Sequence, residues 1–133
     1  MTIKVGINGL GRIGRMIIRT IFENNFNDIR IKHINNRSNT LVSSNLLQYD
    51  SVHGKFNEDI QFDDKFIKIG KHKISFSQET NIEDINWSKY DVDYVLECTG
   101  KFNSKNKLNT HLNNGAKKVI VSAPCKNADK TIV

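Results

Sequence analysis

Residues 6–15, GINGLGRIGR, concentrate four of the chain's eight glycines in ten positions. Before them Ile3, Val5 and Ile7 alternate with other residues, the period of a strand; after them Ile13, Ile17 and Ile21 recur every fourth residue, close to the period of a helix. A period that switches across a glycine cluster leaves few folds open, because the strand must turn sharply into a helix that packs back on it. The spacing predicts a strand over 3–7, a helix over 12–24 closed by Asn24, Asn25 and Asn27, and a second strand over 29–35. A strand-helix-strand unit of about thirty residues makes the two strands parallel. Gly14 and Ile18 widen the packed face of the helix, and Arg12, Arg15 and Arg19 fall to its wet face.

Downstream, 40–48 reads as a weaker helix and YDSVHGKF, 49–56, as a loop. Alternating runs at 60–62, 66–69 and 74–76, separated by Asp63-Asp64 and by residues 70–73, predict hairpin excursions from the main sheet. IEDINW, 82–87, adds a helical turn, and Trp87 with Tyr90 forms a small apolar cluster. A strand over 92–98, a helix over 104–114 stopped by Gly115 and a strand over 118–122 make a second unit like the first. Right-handed crossovers then place helices on both faces of one mostly parallel sheet. The expected fold class is α/β, a single domain over 1–133 with a hairpin excursion.

The formal charge of +6 and pI near 9.4 favour anionic partners: nucleic acid, an acidic membrane surface or small phosphorylated ligands. Lysines scatter from Lys4 to Lys130 without a basic block, which argues against a dedicated nucleic-acid site. No apolar run reaches membrane-spanning length and no leader-like segment starts the chain, so a cytoplasmic location without a membrane partner is expected. Cys98 and Cys125 lack metal-ligand spacing, and neither a metal site nor a disulfide is expected. His33, His53, His72 and His111 share no motif with either cysteine and are assigned surface or packing roles, and Asp63-Asp64 a turn.

The glycines carry the chemistry. Gly9, Gly11 and Gly14 satisfy G-x-G-x-x-G after a strand and at the start of a helix, the context in which the pattern signifies dinucleotide binding. The first glycine permits the tight turn, the second lets a pyrophosphate approach the backbone, and the third lets helix and strand pack closely. The alternative is a glycine-rich turn with no ligand. The pattern also asks for Asp or Glu at the end of the second strand to hold the ribose hydroxyls, and this chain has Asn36 followed by Arg37. An uncharged residue beside a cation favours NADP, or tolerance of both NADP and NAD; the competing reading is a polar turn with Asn36 still on the ribose and Arg37 in solvent.

GINGLGRIGR, LQYDSVHGKF, ECTGKF and GAKKVIVSAP, in this order and spacing, resemble the amino-terminal, cofactor-binding part of the phosphorylating glyceraldehyde-3-phosphate dehydrogenases over nearly the whole chain. The resemblance implies a Rossmann-type fold in which Arg12 and Ile13 lie under the pyrophosphate, Thr99 and Gly100 line the cofactor cleft, and Ser122 sits near the nicotinamide. It also marks two departures: the family usually has an acidic residue in place of Asn36, and often an arginine beside the adenine where this chain has Thr80. Both count against strict NAD use. The family's nucleophilic cysteine lies in a Ser-Cys-Thr-Thr-Asn segment, with a histidine base and phosphate-binding residues further on, and none of these occurs in the present 133 residues. The family reaction forms a thiohemiacetal on that cysteine, passes hydride to the nicotinamide and releases the thioester by phosphate attack.

Hence no catalytic residue is assigned here. Cys98 ends an apolar strand and is expected to be packed; Cys125, between Pro124 and Lys126, lies outside the nucleophile motif. The resemblance implies the dinucleotide-binding domain, cut short at its C-terminal end, of a homotetrameric glycolytic enzyme, and in the closing ADKTIV residues 131–133 read as a strand just beginning. The alternatives are a relative acting on erythrose 4-phosphate, a non-catalytic dinucleotide-binding module, and a charge-driven polynucleotide binder.

Overall fold

The computed structural model describes residues 2–50, 54–102, 104–123, 125 and 128–130. His53 and the end of ADKTIV lie outside them. Strand β1 (Ile3–Asn8) leads through the glycine turn into α1 (Arg12–Glu23), which returns to β2 (Ile29–Asn35). Helix α2 (Thr40–Gln48) follows, its N-terminus capped by Asn39, whose Oδ1 accepts from the Val42 N–H. Next come β3 (Tyr49–Asp50), β4 (Gly54–Lys55), β5 (Ile60–Asp63), β6 (Phe66–Ile69) and β7 (His72–Ser77). Two 3-10 turns, Ile82–Asp84 and Trp87–Tyr90, precede β8 (Tyr94–Glu97), α3 (Lys105–Asn113) and β9 (Lys118–Val121).

Seven strands form one sheet in the order β5-β6-β7-β2-β1-β8-β9. The run β7-β2-β1-β8-β9 is parallel and β5 and β6 are antiparallel additions at one edge. Side chains alternate across the sheet as the pleat requires. Val5 and Ile7 face a core with Ile18 of α1 and Leu47 of α2, while Gly6 meets Trp87 on the opposite face, where Trp87 packs with Ile82, Ile85, Val92, Val95 and Ala116. A bulge in the β1–β2 register, with Val5 opposite Ile31 and Gly6 opposite His33, lets Ile31 and Ile34 share the first core although they are three residues apart.

Four expectations need correction. The predicted loop over 49–56 contains an antiparallel pair, β3 with β4, closed by Phe56 N–H donating to Gln48 O at 2.7 Å and by burial of the Phe56 ring. The run at 74–76 is no excursion: it belongs to β7, a parallel member of the main sheet beside β2. Arg19 is not on a wet face. The β3–β4 hairpin folds over α1, so that Arg19 Nη2 donates to Gly54 O at 2.8 Å and the guanidinium lies over the Phe56 ring, leaving the residue buried. Ile13, assigned to the packed face, is instead 51% exposed.

Candidate dinucleotide-binding site

The glycine turn sits where strand order changes direction: β1 is flanked by β2 on one side and β8 on the other, the switch point at which the loops leaving an open α/β sheet form a ligand crevice. Gly9 has φ +99°, open to glycine at little cost, and a Cβ there would stand 2.8 Å from Thr99 Cγ2 and 2.9 Å from Thr99 N. The turn therefore lies directly against the loop that follows β8. A Cβ on Gly14 would lie 2.3 Å from the Gly9 carbonyl oxygen, so only glycine lets α1 rest on the turn. Gly11 is different, exposed and with its nearest neighbour, Cys98 O, 4.0 Å from an added Cβ. Packing does not require a glycine there; open backbone is what it provides.

Gly11 is the N-cap of α1 and supplies no side-chain cap. The first N–H groups of the helix, from Arg12 onward, have no intrahelical acceptor, and the helix dipole places positive potential at that end. Arg12 is exposed beside them, while Arg15 Nη1 donates to Leu10 O at 3.0 Å and braces the turn. The Ile13 side chain points elsewhere, into an apolar concavity of about 460 Å³ shared with Met16, Ile17, Tyr94, Leu96 and Ile120. That concavity is lined almost wholly by apolar side chains and carries no cation, so Ile13 can serve the phosphates through its backbone alone.

Asn36 is already tied to the glycine turn. Its Oδ1 accepts from Leu10 N–H at 3.0 Å and its Nδ2 donates to Ser43 Oγ at 3.0 Å, which fixes the amide orientation. Arg37 and Thr80, both exposed, lie on the loops leaving the paired strands β2 and β7, joined by Gln78 Nε2 donating to Arg37 O at 3.1 Å. Gly100, with φ +74°, follows Thr99, and Ser122 follows β9 with its N–H donating to Glu97 O at 3.0 Å. The residues assigned to the cofactor thus lie on the loops, and at the start of α1, that follow the C-terminal ends of parallel strands, with the Ile13 side chain turned away.

Two buried asparagines and a glutamate, unnoticed in the sequence, knit those strand ends together. Asn35 Nδ2 donates to Asn8 Oδ1 at 2.9 Å, and Asn8 Nδ2 donates to Glu97 Oε1 at 2.7 Å. Glu97 also accepts from His111 Nε2 at 2.9 Å, from Thr99 N–H at 3.0 Å and from Thr99 Oγ1 at 2.6 Å. Burial alone would push its carboxyl up; the bonds from His111, Thr99 and Asn8 outweigh that and hold it below the usual carboxylate range. An acid inside the apolar run YVLEC was the available signal, because a carboxylate at that position of a central strand needs several donors to be tolerated.

Cys98 is buried, and burial pushes its thiol up to about 11, with Glu97 adding to the rise against a bond from Ser122. It is a packed thiol rather than a nucleophile at neutral pH. Asp63 makes the expected turn, its Oδ1 accepting from Lys65 and Phe66 N–H. Among the described residues no cluster of three His, Cys, Asp or Glu could hold a metal, and no helix is long and apolar enough to cross a membrane.

Residues 3–105 match the family model described as glyceraldehyde 3-phosphate dehydrogenase, NAD binding domain. Over 133 residues the whole chain is similar to glyceraldehyde-3-phosphate dehydrogenase of Cereibacter sphaeroides, 44% identical, covering 39% of that protein. The enzyme of the same name from Geobacillus stearothermophilus is 40% identical over 133 residues, again the whole chain and 39% of the relative, and that from Thermotoga maritima is 39% identical over 98% of the chain. The chain thus spans about two fifths of the length of these relatives. With the glycine turn, the parallel sheet and the match in agreement, the chain belongs to the glyceraldehyde-3-phosphate dehydrogenase family, as its NAD-binding domain.

Proposed function

We propose that this chain holds a nicotinamide dinucleotide across the crevice between the ends of β1, β2 and β8, and that it accepts NADP as well as NAD. The observation that carries the reading is the division of labour among three glycines: two are demanded by packing, and the third, Gly11, leaves open backbone at an uncapped helix start. In this reading the pyrophosphate lies over Gly11, Arg12 and the Ile13 N–H, Thr99 and Gly100 line the cofactor cleft, and Ser122 sits near the nicotinamide. Asn36 offers no negative charge against a 2′-phosphate, and Arg37 and Thr80 stand on adjoining loops at that end.

When bound, the nicotinamide would supply hydride acceptance. The parent activity is oxidation of a phosphorylated aldehyde with phosphate uptake, in a cytoplasmic homotetramer. The present residues contribute cofactor binding; neither Cys98 nor the Cys125 segment supplies the nucleophile, and the chain alone is inactive toward the aldehyde. Calorimetric titration with NADPH and NADH at matched salt tests the binding. Uptake of both, NADPH at least as tightly as NADH, is expected; no uptake by a chain with a cooperative melt would refute binding by this domain alone.

A further inference from the structure

A line of buried polar side chains runs from the crevice to the far face of the sheet. Thr99, packed against Gly9, donates twice to Glu97 Oε2; His111 Nε2 donates to Glu97 Oε1; Trp87 Nε1 donates to His111 Nδ1 at 2.9 Å. Glu97, His111 and Trp87 are each 0% exposed.

Donor and acceptor logic fixes the direction of the whole line. An indole N–H can only donate, so His111 Nδ1 carries a lone pair, its proton sits on Nε2, and the ring is neutral. All four partners of Glu97 are donors: Asn8, His111, and the backbone and hydroxyl of Thr99. The Thr99 hydroxyl spends its proton on Glu97 because it accepts from Lys101 N–H at 3.1 Å. A glutamine at 97 would turn an NH₂ against two donors in either orientation, so the position calls for a carboxylate and no isostere replaces it.

We propose that Glu97 is the positioning residue of the dinucleotide crevice, setting Thr99 and thereby the wall against which the glycine turn rests, and that His111 extends this control to Trp87, which reports the state of the crevice. The crevice's occupant rests on the function proposed above; the relay does not, and it can be read with no ligand present. Trp87 is the only tryptophan, so its indole N–H gives one resonance in a nitrogen-proton spectrum.

The test uses Thr99→Val, which keeps the shape of a half-buried loop residue and removes one donor to Glu97, and Glu97→Gln. In the free chain, Thr99→Val is expected to shift the indole resonance although Thr99 makes no direct bond to Trp87, and His111 in the wild type is expected to show a protonated Nε2 and a bare Nδ1. An unmoved indole resonance, or a Trp87 N–H not bonded to His111, overturns the proposal whether or not the chain binds a dinucleotide. Should Glu97→Gln fail to fold, Thr99→Val carries the test alone. With NADH, wild-type binding should move the same resonance, and Thr99→Val, which leaves residue 99 to be ordered on binding, should weaken binding by about tenfold, the factor for fixing about one residue. Wild-type binding that Thr99→Val leaves unchanged overturns the positioning role, whereas absent wild-type binding with a moved free-chain resonance counts against the crevice reading and for the relay.

Discussion

Alanine at Gly11 and alanine at Gly14 should fail in opposite ways. At Gly14 an added Cβ lies 2.3 Å from a backbone carbonyl oxygen, about 1 Å inside the separation at which such atoms normally rest. No rotamer change relieves it, so α1 or the turn must move. Alanine's advantage as a helix former, about 1 kcal/mol, works the other way. Overpacking costs about 1–3 kcal/mol, and a clash with backbone belongs at or above the upper end, so the net expectation is a loss of about 2 kcal/mol. At Gly11 the φ of −71° suits alanine and the nearest atom is 4.0 Å away, so stability should change by no more than about 1 kcal/mol, the range for an N-cap exchange. The new methyl would nevertheless stand where the pyrophosphate must approach, lowering affinity by at least about tenfold. Urea unfolding and NADH calorimetry on both variants separate the two effects. A Gly14→Ala chain as stable as wild type would refute the packing argument. A Gly11→Ala chain that binds as well as wild type would show that the open backbone is not a phosphate seat.

Asn36→Asp keeps the acceptor for Leu10 N–H, and Ser43 Oγ can turn to donate to the new carboxylate, so the fold should persist while the NADPH-to-NADH affinity ratio falls by about tenfold, from charge repulsion of the 2′-phosphate; an unchanged ratio in paired titrations excludes a specificity role. Burial, with a smaller contribution from Lys89, pushes the His33 ring down to about 3, so the folded state binds fewer protons than the unfolded chain between the unfolded histidine value and that level. Stability from this group is complete above about pH 6.5 and falls by roughly 2 kcal/mol by pH 5, a slope that His33→Gln should flatten in urea midpoints taken across that range. Cys98, with its thiol near 11, should react with iodoacetamide at pH 8 only as fast as the chain unfolds, and fast labelling of Cys98 in the folded chain would refute its packed state.

What could be read in the sequence were the features written in local spacing. The switch of period across residues 6–15 specified β1, α1 and β2, and the same logic recovered β8, α3 and β9, because each element buries one face at a regular interval. Arg19 was misjudged because its burial depends on Gly54 and Phe56, some 35 residues away, whose hairpin folds over the helix. The 72–77 strand looked like half of a hairpin, which it is, but its second neighbour, β2, is set by the sheet and not by the turn. At the site, the glycine roles were legible as spacing, whereas the Asn8–Glu97–His111 network was not. Polar residues inside apolar strands acquire meaning only when the strands are placed side by side.

The strand order also governs when the chain can fold. The β3–β4 and β5–β6–β7 ladders join neighbours in sequence and can close as soon as they leave the ribosome. The crevice cannot. β1 acquires its second neighbour only when β8 arrives, and the bond from Asn8 to Glu97 spans 89 residues. Closing so large a loop costs entropy before any contact repays it, so β1, made well before β8, is among the last strands to be completed. During that interval the apolar edge of β1 stays open to other chains, which makes the birth of this domain, more than its mature fold, the stage at which it most needs protection from aggregation.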